Sequence, residues 1–515
     1  MTTVHEYLVR SAIESPEKPA VICDDRALSY RDFVRNIDAL GAMLLHEGFS
    51  AGDRAAILLA DKALFLVAAH AVSKAGGVAV PIPGGEALFT IEQMVRNSSP
   101  AFIVTSAEDL LDYPGLRKAA PCPLFLVEEA SAAADYSGSV VLPGAQPPVR
   151  APAPAEGALI LYTAGTGGER KGALLSHRNL IQVAQNIIEF TGINADTCEY
   201  IAVPLFRSFG LARCRSLFFA GGTAVVTSGP LNPVTIVQSV LRHHCNALSM
   251  IPSAFASLFG HQEAMVRRIG AQIRHIELGS SPMLTAQKEH MLELFPNARI
   301  CMHYGLTEAP RTAFLDFRSE REKLDSAGRA TPHVEIAVID HGGEHMAANS
   351  IGEIIVAGNH VMLGYWNNDA LTRSAVTRDG WFHTGDYGYL DQEGYLHIIG
   401  RKDELITMNG MKFSPREIEE RIREFFPAFE FCIVGIPDPA GILGEIPVFC
   451  YLAQSGKTIT ASDLSRLLSD KIDRNKIPRI VYRVDPSGAP DGKLVRENVR
   501  QQFLAEFSQP TLQPK

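Results

Sequence analysis

The chain has 515 residues, of which 46% are hydrophobic and 20% are charged, as is typical of soluble globular proteins. This length exceeds what one hydrophobic core usually serves, so the sequence predicts two or more domains. The formal net charge of −9 argues against a general nucleic-acid binder, although one local basic site would suffice for a small anionic substrate.

The first 21 residues carry charges throughout and contain no apolar stretch, so we expect no secretory signal and a cytoplasmic location. The longest uncharged run, residues 216–241, contains five Gly and Pro residues. We therefore interpret it as a buried strand plus a loop and expect no membrane span. The eight cysteines never occur in CxxC spacing, which argues against a zinc cluster or a redox pair and favours buried thiols.

Short apolar runs alternate with helical patterns in the first part of the chain. Residues 54–60 and 76–82 have strand patterns, and the segment between them, through Lys74, has helical length. This alternation predicts α/β layers with parallel strands. Residues 129–156, which are rich in Ala, Ser, Gly and Pro, are expected to form a surface connection inside the same domain.

A glycine-rich loop, LYTAGTGGERKG at residues 161–172, follows an apolar strand pattern and precedes a helical pattern at residues 176–190. We therefore expect the loop to join a strand to a helix. Its glycines let backbone N–H groups converge on an anion, while Thr163, Thr166 and Lys171 add hydroxyl donors and a positive charge. The loop matches neither the Walker nor the Rossmann fingerprint, and on its own a mobile surface turn explains it equally well.

The pattern changes after about residue 400. An amphipathic helix is predicted at 418–426, and a capping box of Thr460 and Asp463 predicts a second helix through Ile472. Three strands are also predicted, at residues 429–436, 447–453 and 480–484. These elements indicate a small α+β unit of just over a hundred residues.

Seven stretches, in the same order, resemble motifs of the adenylate-forming superfamily, which includes acyl-CoA synthetases, peptide-synthetase adenylation domains and luciferases. The resemblance covers nearly the whole chain and is strongest to the acyl-CoA ligases. The stretches are the glycine loop at 161–172, VPLFRSFGL at 203–211, LGSSPM at 278–283, HYGLTE at 303–308, WFHTGDYG at 381–388, GRKDELITMNGMKFSPREIEE at 400–420 and PSGAPDGKLVR at 486–496.

The resemblance implies a large N-terminal multi-layer α/β adenylating domain, residues 1–400, and a small mobile C-terminal α+β domain, residues 401–515. It also implies that ATP activates a small carboxylic acid as an acyl-adenylate, and that the thiol of coenzyme A then accepts the acyl group. The implied cofactors are ATP, Mg²⁺ and coenzyme A as co-substrate. No nucleic-acid partner is expected, because of the net negative charge, and the oligomeric state stays open.

The resemblance also implies a role for individual residues in nucleotide binding. Glu308 is expected to hold Mg²⁺, since that ion prefers carboxylate and phosphate oxygens. The nucleotide contacts are expected from Thr163, Thr166, Gly167 and Lys171 at the β- and γ-phosphates, Thr307 at the α-phosphate, Ser280, Ser281, Pro282 and Tyr304 at adenine, and Asp386 and Arg401 at the ribose.

The second domain is expected to carry the catalytic lysine, Lys493, whose ammonium group would contact the substrate carboxylate and the α-phosphate together. Asp403 is the expected hinge about which this domain rotates. After the rotation, the loop around Gly410 would face the adenylate and leave a passage for the thiol. Gly279 and Arg207 are expected at the acyl pocket and that passage.

Several residues depart from the pattern of the family. Ala164, Gly167 and Arg170 replace the usual Ser, Thr and Pro, so contacts on the pyrophosphate side are expected to be weaker. Arg207 replaces the His usual in the acyl-CoA ligases, and either an internal acid or a ligand is expected to pair with it. The identity of the acid and of the acceptor therefore stays open.

Two alternatives to a coenzyme A ligase remain. One is a stand-alone adenylating enzyme that loads a carrier protein or another acceptor. The other is a non-catalytic binder of nucleotides or acyl groups. The presence of Glu308, Asp386, Arg401 and Lys493 argues against the second alternative, because binding alone would not require them.

Overall fold

The structure is a computed structural model that forms two compact units. The first comprises residues 1–337, 355–383 and 391–396, and the second comprises 338–354, 384–390 and 397–515. The single domain boundary that the sequence suggested after residue 400 stays a prediction. The structure describes residues 3–127, 152–164, 170–229, 231–259, 262–408, 411–426, 429–439, 443–452, 458–469, 471–484 and 494–507.

Several helices of the first unit begin after a residue whose side chain accepts a hydrogen bond from a free backbone N–H group. The Asp61 side chain, for example, accepts a hydrogen bond from the backbone N–H of Leu64. The helices are α1 Val4–Glu14, α2 Tyr30–His46, α3 Lys62–Lys74, α4 Leu88–Ser98, α5 Asp109–Asp112, α6 Leu116–Ala119, α7 His177–Thr191, α8 Ser208–Ala220, α9 Pro233–Arg242, α10 Pro252–Phe259, α11 Glu263–Gly270, α12 Thr285–Leu294 and α13 Asp369–Ala375, with a 3₁₀ turn at Arg321–Lys323.

A nine-stranded sheet forms one layer of the first unit. Its strands, in spatial order, are β15 Arg329–Ala330, β14 Ala313–Asp316, β13 Arg299–Tyr304, β12 His275–Leu278, β11 Ala247–Met250, β9 Cys198–Ala202, β10 Thr223–Val226, β1 Pro19–Cys23 and β2 Arg26–Ser29. The six strands from β13 to β1 are parallel, and the strands beyond them pair antiparallel. Buried apolar residues of this sheet and its helices form one core.

A seven-stranded sheet forms another layer, with its own core. Its strands, in order, are β18 Gly364–Tyr365, β8 Arg170–Ser176, β7 Gly157–Ala164, β4 Val78–Pro81, β3 Arg54–Leu58, β5 Phe102–Thr105 and β6 Leu124–Leu126. β3, β4 and α3 lie where the sequence predicts them. The parallel α/β layers expected from the alternating pattern are therefore confirmed.

The glycine-rich loop does not join a strand to a helix, as the sequence suggested. It joins β7 to the antiparallel strand β8, and α7 begins only after β8. Residues 170–176 form a strand because their apolar side chains continue the sheet, and the capping box of Ser176 and Asn179 starts the helix. The connection expected at 129–156 lies mostly outside the described residues.

The interpretation of residues 216–241 as a strand plus a loop was partly wrong. The strand is β10, but α8 continues through Ala220 and α9 occupies most of the rest. Asn232 caps α9, and Pro233 stands in its first turn, where a missing N–H group costs nothing. Within the described ranges, no helix is both long and apolar enough to cross a membrane.

The second unit contains small sheets and helices of an α+β arrangement. A three-stranded sheet has the order β23 Phe431–Pro437, β24 Glu445–Leu452 and β25 Ile480–Val484, and β21 Ile406–Met408 pairs with β22 Met411–Phe413. The helices are α14 Pro415–Arg423, α15 Ala461–Leu468 and α16 Arg496–Phe507, with a 3₁₀ turn at Arg474–Lys476. A further four-stranded sheet of the chain, not confined to the second unit, has the order β16 Val334–Ile339, β17 Gly352–Gly358, β19 Phe382–Leu390 and β20 Leu396–Arg401.

The three predicted C-terminal strands are confirmed, and side chains that alternate along β23 enter two different cores. The predicted capping box is also confirmed, since Thr460 accepts from the backbone of Asp463 and starts α15. That helix ends at Leu468, earlier than the predicted Ile472. α14 begins three residues before the predicted start because Ser414 caps it and Pro415 fits its first turn.

Candidate functional site

The carboxyl ends of the parallel strands β9, β11, β12 and β13 lie side by side at one edge of the nine-stranded sheet. Ligands of open α/β sheets usually bind outside this edge. The segments that follow β9, β12 and β13 are residues 203–207, 279–282 and 305–308, which contain the predicted site residues of the nine-stranded layer. The fold therefore brings these three segments together.

The segment after β12 has the geometry of a ligand-binding loop. A Cβ atom at Gly279 would lie 2.0 Å from Cε1 of His303, so only glycine fits there. Ser280 has a φ of 70°, in the left-handed region that side-chain-bearing residues rarely adopt and that often marks functional sites. The buried Oγ of Ser281 has no hydrogen-bond partner in the described part of the chain, so it can serve a ligand.

The segment after β13 makes a tight turn from Tyr304 to Glu308. A Cβ atom at Gly305 would lie 2.5 Å from the backbone nitrogen of Arg311, which again requires glycine. Glu308 is only 7% exposed, and its Oε1 accepts a hydrogen bond of 2.9 Å from the hydroxyl of Tyr365. Its backbone carbonyl accepts from the N–H of Met362 at 2.8 Å. Glu308 is therefore a buried carboxylate with a fixed orientation.

A buried charge network, which the sequence did not predict, lies directly beneath these loops. Arg213 donates from Nη1 to Glu277 at 2.7 Å and from Nε to Glu199 at 3.0 Å. Arg311 donates from Nε to Glu277 at 3.0 Å, and Nδ1 of His303 lies 2.7 Å from the same carboxylate. The negative charges of the two carboxylates and the positive charges of the two guanidinium groups cancel, as is required when charged groups are buried.

The electrostatics of the network follow from this pairing. Burial raises the pKa of Glu277, but Arg311 and Arg213 outweigh it and hold that pKa well below its usual value. Burial, followed by the charge of Arg311, lowers the pKa of His303 to about 4. His303 is therefore neutral at pH 7, and the network has no net charge. The only signal in the sequence was an acid inside each of two apolar strands, CEYIA and HIEL.

The described ends of the glycine-rich loop bring Thr163 and Lys171 opposite each other in the β7–β8 register. The Thr163 hydroxyl donates to the backbone carbonyl of Lys171 at 3.4 Å. Arg170, where the family usually has proline, forms an ion pair of 2.9 Å with Glu86. Two other predicted phosphate contacts, Thr166 and Gly167, lie outside the described residues.

Arg207 stands at the N-cap of α8 and is exposed. Its guanidinium carbon lies 5.5 Å from the centre of the Phe206 ring, and no described acid forms an ion pair with it. Partial burial and then the charge of Arg170 lower the pKa of Arg207, while Glu86 raises it. The internal acid that the sequence allowed as a partner is thus not found within the described ranges.

The second unit groups two other predicted residues, Asp386 and Asp403, around Arg401. Its Nη1 donates to the backbone carbonyl of Thr384 at 2.7 Å and lies 3.3 Å from Oδ1 of Asp386, while its Nε lies 3.4 Å from Asp403. Asp386 is 8% exposed. Burial lowers the pKa of Arg401, but Asp386 and Asp403 outweigh it and raise the pKa above its usual value. Lys493 and Gly410 lie outside the described residues.

Comparisons with known proteins show which enzymes the chain resembles in sequence. The model of the family described as AMP-binding enzyme matches residues 8–366. The feruloyl-CoA synthase of an Amycolatopsis species is 28% identical over 503 residues, covering 96% of this chain and 98% of that protein. The indoleacetate–CoA ligase of Aromatoleum aromaticum is 29% identical over 509 residues, covering 96% and 97%.

Among solved structures, ATP-bound MatB from Rhodopseudomonas palustris has the same fold. The TM-score is 0.83 at 24% sequence identity, and the match covers 98% of this chain and 100% of that one. The predicted fold class, a large α/β domain with a small α+β domain, is confirmed by this likeness. Since the family model covers more than half of the residues, the chain belongs to the family of AMP-binding enzymes.

Proposed function

We propose that this protein is an AMP-forming acid–thiol ligase. A carboxylate oxygen of the substrate attacks the α-phosphorus of ATP, which gives an acyl-adenylate and releases pyrophosphate. The thiol of coenzyme A then attacks the acyl carbon and releases AMP. The single observation that carries the proposal is the buried and oriented carboxylate of Glu308 at the carboxyl edge of the sheet, in a chain of this family.

The loops of the first unit supply groups suited to the nucleotide. The hydroxyl of Ser281, beside the strained Ser280, has no hydrogen-bond partner among the described residues, and Tyr304 ends β13. We assign adenine to the slot of Ser280, Ser281, Pro282 and Tyr304. The hydroxyl of Thr307 donates to the α-phosphate, and Thr163 and Lys171 contact the outer phosphates.

The residues present fit a magnesium ion. Oε1 of Glu308 is held by Tyr365, while Oε2 accepts no hydrogen bond from the described residues and is free to act as a hard oxygen ligand. Phosphate oxygens of ATP complete such a site. When bound, the ion supplies positive charge against the phosphates. Glu308 would hold it, and the chain itself positions the substrates.

The second unit is proposed to contribute the ribose contacts and the catalytic lysine. The carboxylate of Asp386 is fixed beside Arg401 and suits two ribose hydroxyls. Lys493 contacts the substrate carboxylate and the α-phosphate oxygen together, so it reduces the repulsion between two anions as they approach. Asp403 acts as the hinge residue, and Gly410 lines the passage for the thiol.

The experiment is ATP–pyrophosphate exchange with a panel of carboxylic acids. The panel includes dicarboxylic acids, ferulate and indoleacetate. The last two acids appear in the names of two relatives. Products are then identified with and without coenzyme A. We expect exchange with at least one acid, and a coenzyme A thioester only when coenzyme A is present. Exchange without any thioester would instead favour another acceptor, such as a carrier protein.

The matched variant is Glu308→Gln, which keeps the shape and the hydrogen bond from Tyr365 but removes the charge. We expect the exchange rate to fall by about 10²–10³-fold, the usual cost of removing one electrostatic contact to a transition state. Glu322→Gln, at an exposed position, is the control. Equal exchange rates for Glu308→Gln and the control would contradict the proposed role of Glu308.

A further inference from the structure

Arg215, on α8, is a buried arginine for which the described ranges contain no ion-pair or hydrogen-bond partner. It is 6% exposed and forms no hydrogen bond or ion pair with any described residue. Two residues earlier on the same helix, Arg213 is held by both Glu199 and Glu277. Burial lowers the pKa of Arg215 to about 10, so the guanidinium group is still charged at neutral pH. A buried charge of this kind requires a counter-charge.

A small cavity adjoins Arg215 and has the polar groups that an anion needs. It measures about 30 Å³, and its polar lining comes from Arg215 together with His70 and Ser73 of α3. Apolar side chains, among them Leu159 and Leu211, form the rest of the wall. The hydroxyl of Ser73 is buried and has no hydrogen-bond partner in the described part of the chain.

All three polar groups can donate hydrogen bonds. Burial, followed by the charge of Arg215, lowers the pKa of His70 to about 3, so its ring is neutral and offers one N–H. Ser73 offers its hydroxyl, and Arg215 offers several N–H groups. None of the described residues that line the cavity carries a carboxylate. The cavity is therefore lined by hydrogen-bond donors and by one fixed positive charge, that of Arg215.

We propose that this cavity binds one small monovalent anion of the halide class, held by Arg215, His70 and Ser73. Its volume of about 30 Å³ is sufficient for one ion of the size of chloride. The site is separate from the nucleotide loops, and it does not depend on the proposed ligase activity.

The direct test is crystallography with sodium bromide. Anomalous diffraction at the bromine edge is expected to show a peak in the cavity within hydrogen-bond distance of Arg215. A map with water alone in the cavity, and no bromine signal, would overturn the proposal. The purified full-length chain serves for this experiment without added substrate.

The second test follows thermal unfolding in sodium chloride and in sodium methanesulfonate at equal ionic strength. A ligand that binds only the folded state raises the Tm and saturates. We expect the chloride-specific rise in the native protein and its loss in Arg215→Met, which keeps the length of the side chain. Arg242→Met removes an exposed arginine paired with Asp25 and should keep the rise. The same chloride effect in Arg215→Met would refute the site.

Ser73→Ala covers the case in which Arg215→Met does not fold. The hydroxyl of Ser73 accepts or donates no hydrogen bond among the residues that the structure describes, so its removal should leave the fold intact. Loss of one hydrogen bond to a charged ligand should weaken the apparent chloride affinity by about tenfold. An unchanged chloride affinity in Ser73→Ala would count against the proposed set of donors.

Discussion

The ring of His303 packs so closely on the backbone at position 279 that only glycine fits there. Since a Cβ atom there would lie 2.0 Å from the ring, Gly279→Ala forces His303 away from Glu277. We expect a loss of about 1–3 kcal/mol of unfolding free energy, as is usual for overpacking, together with impaired adenylate formation. Denaturant unfolding and ATP–pyrophosphate exchange measure the two effects.

Gly84→Ala is the matched control, because a Cβ atom there meets nothing within 4 Å. It should differ from the native protein by less than about 0.5 kcal/mol. If Gly279→Ala were as stable and as active as Gly84→Ala, the position of the His303 ring would not depend on the glycine.

Arg207 is the residue that departs most from the family near the proposed acyl pocket. It is exposed and has no described acid partner, so Arg207→His should leave the Tm nearly unchanged. If its guanidinium group meets a second anionic group on the substrate, the variant should shift preference toward plain monoacids by about tenfold or more. The comparison is kcat/KM for a monoacid and its dicarboxylic analogue in both proteins. A large loss of Tm with an unchanged substrate ratio would indicate a structural role.

Single elements show what the sequence could and could not predict. Strands such as β3 and β4 were predicted because each contains a short run of consecutive apolar residues, which is visible in the sequence itself. The strand β8 was missed because its pairing with β7 depends on a partner across the loop. The network of Glu199, Arg213 and Glu277 joins residues from separate elements, and no local pattern reports such contacts. The loops after β12 and β13 were found because their motifs are contiguous.

The motif at residues 486–496, which contains Lys493, is expected to serve one half-reaction. Lys493 should face the adenylate in only one orientation of the C-terminal domain, so Lys493→Ala should abolish adenylate formation. Thiolysis of a preformed acyl-adenylate should stay largely intact. The two rates are measured separately, by pyrophosphate exchange and by release of AMP from added adenylate. An equal fall in both would contradict the two-orientation mechanism.

For the whole molecule, the buried histidines predict how stability depends on pH. Burial is the main cause that lowers the pKa of His177, His303 and His360 to about 4, and that of His70 to about 3. The unfolded chain binds these protons near pH 6.5, so below that pH it holds more protons than the folded chain. The stability from these neutral rings is complete above pH 6.5 and is lost as the pH falls toward 4.

Each ring should account for a loss of the order of 2–3 kcal/mol over that interval. Thermal unfolding between pH 7.5 and pH 4.5 measures the total. His360→Gln should flatten the curve, whereas His290→Gln, at an exposed position, should not change it. A Tm that stays constant between pH 6.5 and pH 4.5 would contradict the neutral buried state of these histidines.

The order of the segments along the chain has a consequence for synthesis on the ribosome. The first unit includes residues 355–383 and 391–396, so it cannot be complete when residue 337 emerges. Until residues 364–365 emerge, β8 lacks its neighbour β18 and exposes an unpaired strand edge. The nascent chain therefore exposes an aggregation-prone strand edge from the synthesis of β8 to that of β18. Chaperones are expected to bind the chain mainly during this interval of translation.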